Sequence, residues 1–433
     1  MKSRNPVLPL GYHCPDGEPH YINGELFVYP SYDCSPKGYC SDKLFVVHSK
    51  NLSDWTVSGP AFDSSKLLHW EMAACYPPGL PDATSYETLP QYIKDYLPGA
   101  FCRVFPFKAF RWYLMKVMDL LKGDASKRLL YAPDSVTIAD KSYLFFCTSD
   151  EFEGVAVADN PAGPFTNPVK ITTDKTKTPI KGIDPGVFRD DDGKVYLYWG
   201  QLNSFGAELT EDLTQVKEDT LVKNLLTEKE HYFHEGSSMR KIGDTYYYIF
   251  ADTHRGKATA LGYATSKSPL GPFEYQGIII DNDGCDPKTW NNHGSIECVN
   301  GQWYVFYHRS SGNSRYLRRM CAEPIFIDEN GFIAEVLPTS IGMGEPYKVG
   351  ETIPAYEACQ VENAYIDNDK LVISKGKSEV VFRYIEKGAD FSCVKYDANG
   401  EAALSYSVND KGELRISFEA KKKLEIKSFR LVK

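Results

Sequence analysis

A chain of 433 residues can bury a large core and is long enough for more than one domain. Its formal net charge of −9 argues against a polyanionic partner such as nucleic acid. The 29 Tyr, 23 Phe and 6 Trp, with 33 Gly and 26 Pro, favour many short strands joined by turns over long helices.

In chain order, one pattern recurs five times: a polar residue, a short apolar run, a tight turn and an aromatic-rich strand. It opens at Asp16, with His20-Tyr21-Ile22, a turn at Asn23-Gly24 and Leu26-Phe27-Val28-Tyr29. It returns at Asp134 before Tyr143-Leu144-Phe145-Phe146, and at Asp184 before Val195-Tyr196-Leu197-Tyr198-Trp199. Glu235 precedes Tyr246-Tyr247-Tyr248-Ile249-Phe250, and His293 precedes Trp303-Tyr304-Val305-Phe306-Tyr307. From Asp134 onward the spacing is roughly 50–60 residues, the period of a propeller blade. The longer first gap holds a stretch of different character at about 67–128, with two helical patterns. It reads as a helical insertion after the first blade. Within it, Phe101 to Leu121 mixes aromatics with Arg103, Lys108, Arg111 and Lys116. Packing on the propeller flank is the expected use of that stretch, and membrane-surface binding the lesser alternative.

The five hairpin pairs predict five four-stranded blades over residues 1–350. From about residue 355 the period is lost, and short strands with turns at Asn399-Gly400 and Lys411-Gly412 predict a small β-sandwich-like module over 355–433. The expected fold is therefore all-β: a five-bladed β-propeller, a helical insertion and a C-terminal all-β module. The eleven cysteines form no CxxC pair, and Met1 to Pro6 carries no apolar leader. Free buried thiols and a cytoplasmic location are expected, with a leader upstream of the given sequence left open.

In a propeller the first strand of each blade lines the central channel, so equivalent repeat positions converge. Asp16, Asp134, Asp184, Glu235 and His293 are thus expected around one mouth of the channel. Several carboxylates in one partly dry pocket raise one another's pKa, which makes the ring a candidate site. The alternative for each acid alone is a turn cap or an ion pair within its own blade. Paired carboxylates of divided protonation suit glycosidic cleavage, one activating water and the other protonating the leaving oxygen. No Gly-x-Ser-x-Gly, Walker or dinucleotide fingerprint competes with that reading.

The segments Asn5-Pro6-Val7-Leu8-Pro9 with Cys14-Pro15-Asp16, Ala132-Pro133-Asp134, Gly182-Ile183-Asp184-Pro185, His234-Glu235-Gly236 and His293-Gly294-Ser295 together resemble family 43 of the glycoside hydrolases. That family consists of five-bladed propellers including β-xylosidases and α-L-arabinofuranosidases. The resemblance implies an inverting, exo-acting hydrolase that removes terminal arabinofuranose or xylose from plant-type oligosaccharides. It implies Asp16 as general base, Glu235 as general acid and Asp184 as modulator of that acid's pKa. Asp134, His293 and Arg318 are implied as substrate-binding residues, with Arg319 an alternative to Arg318. No cofactor is implied as required. His293 is either a plain channel histidine or the neighbour of a structural calcium ion in the channel. One departure matters: Asp16 is followed by Gly17-Glu18 rather than Pro, which makes Glu18 a rival base. The alternatives in function are a non-catalytic carbohydrate-binding propeller and a related five-bladed fructosidase or glycoside phosphorylase. The sequence leaves the oligomeric state open.

Overall fold

The computed structural model describes residues 2–67, 128–386, 389 and 391–433. The expected helical insertion, and the stretch from Phe101 to Leu121, lie outside the described residues. Within them, five antiparallel meanders follow one another. The first contains β1 (Glu18–Ile22), β2 (Glu25–Tyr29), β3 (Lys43–Ser49) and β4 (Thr56–Asp63). The second holds β5 (Leu130–Ile138), β6 (Lys141–Thr148), β7 (Glu153–Ala158) and β8 (Thr166–Lys170). The third is built from β9 (Gly186–Arg189), β10 (Val195–Trp199), β11 (Asn203–Glu208) and β12 (Val222–Thr227). The fourth is β13 (Phe233–Ile242), β14 (Thr245–Asp252), β15 (Ala260–Ser266) and β16 (Glu274–Asp281). The fifth has three strands only, β17 (Ser295–Val299), β18 (Gln302–Ser311) and β19 (Ser314–Ile325).

The turns explain the hairpins locally. Asn23-Gly24 and Asn300-Gly301 both hold two consecutive residues at positive φ, the backbone of a two-residue hairpin loop whose twist matches its strands. The fifth sheet departs from the expected four strands because the N-terminal segment occupies the free edge of β19. The Val7 amide donates to the Met320 carbonyl at 3.0 Å, and the Asn5 side chain bonds both the amide and the carbonyl of Ala322. Pro6, which has no N–H, interrupts that edge.

Each sheet packs face to face on the next through its own apolar layer. Phe62 and Tyr29 of the first meet Phe146 and Leu144 of the second, and Phe145 and Val155 meet Leu197 and Trp199 of the third. Tyr198 meets Phe233 and Tyr248, and Ile249 and Tyr263 meet Val305 and Tyr307. The fifth layer joins Phe306 and Met320 back to Leu26, Val28 and Val47 of the first sheet. Each such fully buried large side chain contributes about 1.5–3 kcal/mol of burial free energy. The first strands form a circuit of their own. His20 bonds Asp134, Asp134 bonds the Val187 amide, Ser238 bonds Ser295, and a bridge between Gly17 and Gly294 joins the fifth sheet to the first. This is the five-bladed propeller that the repeat predicts.

Beyond residue 350 two sheets face each other over a separate core that includes Ile366, Leu371, Val380, Phe382, Leu414, Ile416, Ile426 and Phe429. One is five-stranded and gathers around Leu424–Val432, and the other is four-stranded and centres on Gly376–Arg383 and Glu413–Ala420. Polar contacts join this sandwich to the fifth sheet: Arg309 donates to the Ala358 carbonyl at 2.9 Å and the Gly312 amide to the Ile366 carbonyl at 2.7 Å. The cysteines among the described residues are all free, most of them buried.

Inner strands this close leave no room for side chains at their contacts. A Cβ on Gly186 would stand 2.3 Å from the Ser237 carbonyl oxygen of the next sheet. Gly186→Ala should therefore lower the unfolding free energy by about 1–3 kcal/mol. Gly38→Ala, where a Cβ meets nothing within 4 Å, should change it by less than about 0.5 kcal/mol. Urea denaturation of both variants checks this, and equal midpoints would show that the inner strands can spread.

Candidate active site

The strand registers sort the channel-facing residues into two tiers. Glu18 lies opposite Tyr29, Asp134 opposite Phe145, Gly186 opposite Tyr198, Ser238 opposite Ile249 and Ser295 opposite Phe306. The five partners stand at the same place in their second strands, so Glu18, Asp134, Gly186, Ser238 and Ser295 form one level. Asp16, Asp184 and His293 each stand two residues earlier, and Glu235 three residues earlier across a β-bulge. Two residues of strand put that upper tier about 7 Å nearer the channel mouth. The bulge re-aims Glu235 to join it.

Local backbone aims the acids. Asp16 (φ 56°) and Asp184 (φ 55°) both adopt the left-handed conformation just before their strands, at a cost of about 1–3 kcal/mol each. Gly236 (φ 77°), next to Glu235, lets the His293 ring come close, since a Cβ there would lie 2.9 Å from the imidazole. The His293 Nδ1 stands 3.9 Å from Asp16 Oδ1 and 3.8 Å from Asp184 Oδ2, so one imidazole sits between two carboxyls from different blades.

Asp16 is buried and held through one oxygen. The Arg318 Nη1 donates to its Oδ1 at 2.7 Å, and His308 Nδ1 lies 3.2 Å from the same oxygen. Burial alone would push this carboxyl up. Arg318, His308 and His293 overcome that and hold it well below the usual carboxylate range. Arg318 is itself 2 % exposed and grips Asp33 through Nε and Nη2 at 2.9 and 3.0 Å. Burial opposes its charge, but Asp16 and Asp33 keep it protonated. The Tyr39 ring covers the guanidinium at 4.7 Å.

Asp184 is equally buried and shifts the other way. Burial first, then the negative charges of Glu235, Asp16 and Glu153, push its carboxyl well above the usual range. Glu235 is half-buried; its Oε2 accepts from Gln201 Nε2 at 2.8 Å, and Asn291 Nδ2 lies 3.4 Å from Oε1. Trp290, next to Asn291, is exposed at the rim with Arg315 over its ring.

The lower tier is an ion-pair network. Asp134 accepts from the Ser135 and Val187 amides and pairs with His20, each at 2.6 Å. Its oxygens are thereby occupied between the first three blades. Glu18, the rival base, is held at 2.8 Å by both Arg240 and Ser238, and burial pushes its carboxyl up to about 7 against the pull of Arg240. A group near pH 7 that faces a guanidinium one tier down is placed to brace the channel. Glu18, His20 and Asp134 do bring ligand atoms within 4.8 Å of one another, but the hydrogen bonds just described already satisfy them. Around His293, an ion such as calcium would meet the imidazole and carboxyl oxygens of Asp16 and Asp184, which supply part of the six to eight oxygen ligands calcium takes.

Arg318 reaches the site, whereas Arg319, the next residue along β19, faces away from it. Sequence reasoning missed Asp33, His308, Gln201, Asn291 and Tyr39. His308 and Gln201 could have been noticed because each closely follows the aromatic run of a second strand, where a side chain emerges at the same mouth; Asp33 and Asn291 carry no repeat signal.

The family model for Glycosyl hydrolases family 43 matches residues 112–333. This chain belongs to that family. It is 30% identical over 408 residues to a xylosidase/arabinosidase of Thermoclostridium stercorarium, covering 84% of this chain and 74% of that protein. It is 32% identical over 352 residues to the β-D-galactofuranosidase xynD of Aspergillus niger, covering 78% and 86%. Among solved structures, a family 43 arabinoxylan arabinofuranohydrolase of Bacillus subtilis in complex with cellotetraose superposes with a TM-score of 0.52 at 18% identity. The match covers 99% of this chain and 97% of the other. The family member in hand is thus a glycoside hydrolase with the propeller-plus-sandwich fold.

The Arg318 cluster gives a stability test that is independent of catalysis. Arg318→Met leaves Asp16 and Asp33 buried without their cation and should cost about 3–5 kcal/mol at pH 7. In the wild type the depressed Asp16 pKa contributes stability above the unfolded carboxylate pKa of about 4, which is lost as pH falls below it. In the variant the unpaired acids titrate upward, so protonation relieves them as pH drops. The gap between the two proteins should shrink steadily from pH 7 to pH 4 in denaturant titrations. A constant gap would mean that packing, not charge, is lost.

Proposed function

We propose that this chain is an inverting, exo-acting glycosidase that removes terminal arabinofuranose or xylose from oligosaccharides. The observation that carries the reading is the opposed electrostatics of two equally buried carboxyls in one pocket. Asp16 is kept ionised by a buried guanidinium, while Asp184, beside Glu235, is driven to hold a proton. Acid and base roles divide where environments push titratable groups apart in this way. The names of the relatives, xylosidase/arabinosidase among them, supply the sugar class.

In the proposed reaction, water enters between the sugar and Asp16. Asp16 takes a proton from it as the oxygen attacks the anomeric carbon, and the C–O bond to the leaving group breaks. Glu235 gives its proton to the departing oxygen. Glu235 fits that task because it is half-buried and oriented by Gln201 and Asn291 on the open side of the site. The charge of Asp184 beside Glu235 favours return of a proton to that acid after each turnover. His293 holds Asp16 and Asp184 apart, and Arg318 fixes the base. Asp134 acts from below as a brace between blades. No step passes through a metal.

A phosphorolytic enzyme would need a free cation to present phosphate beside the sugar. Arg318 is committed to Asp16 and Asp33, and Arg319 lies on the other face of β19, which favours hydrolysis. A binding-only propeller has no use for carboxyls of opposite protonation.

Asp16→Ala and Glu235→Ala should each reduce kcat by at least about 10²-fold on nitrophenyl α-L-arabinofuranoside or β-xyloside. Glu18→Gln should keep kcat within a few-fold of the wild type. NMR of the first-formed sugar should show the anomer opposite to that of the substrate. Near-normal turnover by Asp16→Ala, a collapse confined to Glu18→Gln, or a retained anomer would each overturn the assignment.

A further inference from the structure

The rim of the site carries a cation that the hydrolytic scheme leaves unused. Arg315 is half-buried, and its guanidinium lies 5.0 Å from the centre of the Trp290 ring and 4.9 Å from that of Tyr316. Its Nη2 donates to the Tyr316 hydroxyl at 2.8 Å. Among the described residues no carboxylate is in ion-pair contact with it, and the groups that favour its charge are the phenols of Tyr316 and Tyr39. The strand explains the placement. Between β18 and β19 the register runs from Ser310 opposite Arg318 to Ser311 opposite Ser314. Arg315, Tyr316 and Leu317 are therefore looped out of the sheet, directly before the arginine that fixes Asp16.

Trp290 meets Arg315 from the loop between β16 and β17. On one side of it, the Thr289 amide and hydroxyl donate to the Asp286 carbonyl at 3.2 and 2.9 Å. On the other, the Asn291 carbonyl accepts from Asn282 Nδ2 at 3.0 Å and the Asn292 amide donates to the Ala258 carbonyl at 2.7 Å. The indole thus projects from a pinned backbone, and at 59 % exposure it keeps apolar surface open beside Arg315. An apolar face at the edge of a polar cleft marks a binding surface, and the C–H face of a sugar ring is its complement. Because Asn291 reaches Glu235 at 3.4 Å, a ring on Trp290 lies on the side of the acid. The field of Glu235 reaches Tyr39 but not Arg315, so the guanidinium stands farther out.

We propose that Trp290 and Arg315 bind the departing part of the substrate, and that Arg315 selects an oligosaccharide whose departing sugar carries a carboxylate, a hexuronic acid. The inference rests on Glu235 being the acid that protonates the leaving oxygen. The ring stacks on the indole, and its carboxylate accepts charge-assisted hydrogen bonds from guanidinium N–H groups not given to Tyr316. Without such a cation, the carboxyls of the channel and a net charge of −9 would repel an acidic substrate. Arg318 is already spent on Asp16 and Asp33. Arg315 stands on the side where the leaving group departs, so it reads the substrate and presents no nucleophile.

The test compares two oligosaccharides ending in the pentose that the nitrophenyl assays select. One carries a hexuronic acid on the sugar next to that pentose; in its twin the carboxyl is reduced to the alcohol. At low salt the wild type should show a kcat/KM about fivefold higher on the acid, the upper size of an exposed ion pair. The ratio should fall towards one as salt is raised. Arg315→Gln should abolish the preference, and Arg315→Lys should keep part of it. Trp290→Ala should lower kcat/KM on both twins by about tenfold, as loss of a central aromatic contact does. A wild-type ratio of one overturns the charge selection. So does an Arg315→Gln variant that loses activity equally on both twins and keeps the ratio, the behaviour of a mere prop for Trp290. If the wild type releases nitrophenol from neither pentoside, the hydrolytic reading is what fails. Calorimetric titration with the twins then decides the binding site: tighter binding of the acid supports it, and equal affinity or no binding refutes it.

Discussion

The structure turns on one guanidinium. Arg318 comes from the last strand of the fifth blade, Asp16 from the loop entering the first, and Asp33 from the segment after β2. The three can meet only when the fifth sheet has packed back onto the first. Closing the ring and fixing Asp16 are therefore one event. A buried ion cluster of this kind is weak evidence of stability, since desolvation offsets most of the attraction. Its value is geometric. With both of its acids fixed, Arg318 leaves Asp16 a single orientation and a single protonation state.

How much of this was legible in the sequence follows from what a repeat can and cannot encode. The fivefold recurrence of an acid or histidine before an aromatic strand was enough for the propeller, because equivalent positions of a closed ring converge. Asp16, Asp184, Glu235 and His293 were found that way, and they do share the upper tier. Asp134 belongs to the same pattern by eye, but its register partner Phe145 sets it level with Glu18. A shift of two residues keeps a side chain on the channel face, so periodicity of two cannot reveal it. The bulges in β5 and β13 hide the offset further. Asp33 and Asn291 come from loops outside the repeat, and the three-stranded fifth sheet reflects an N-terminal segment whose pairing is fully non-local. Charge pairing across hundreds of residues leaves no local signal.

The upper and lower tiers also answer a question that counting acids cannot. Asp16, Glu18, Asp134, Asp184 and Glu235 bring five carboxyl groups to one channel. Each excess is met differently. Asp134 is hydrogen-bonded by His20 and two backbone amides, Glu18 is paired with Arg240, and Asp16 with Arg318. Of the five, only Asp184 and Glu235 have neither a buried arginine nor a histidine in hydrogen-bond contact. The repulsion left in the ring is thus concentrated where a proton is useful.

The last step concerns Asp184, whose carboxyl is the most strongly opposed. Burial, Glu235 and Asp16 all work against its charge, and so does Glu153, a buried acid without hydrogen-bond partners behind the same loop. A residue that only needed to carry negative charge would be paired with a cation, as Asp16 is. The surroundings of Asp184 instead make its ionisation conditional on the protonation of its neighbours. Asp184 gains charge most readily when Glu235 holds the proton and loses that advantage once Glu235 has given it away. The opposition to charge at Asp184 thus comes from a neighbour, Glu235, that stands half-buried and faces Gln201 and Asn291 on the open side of the site.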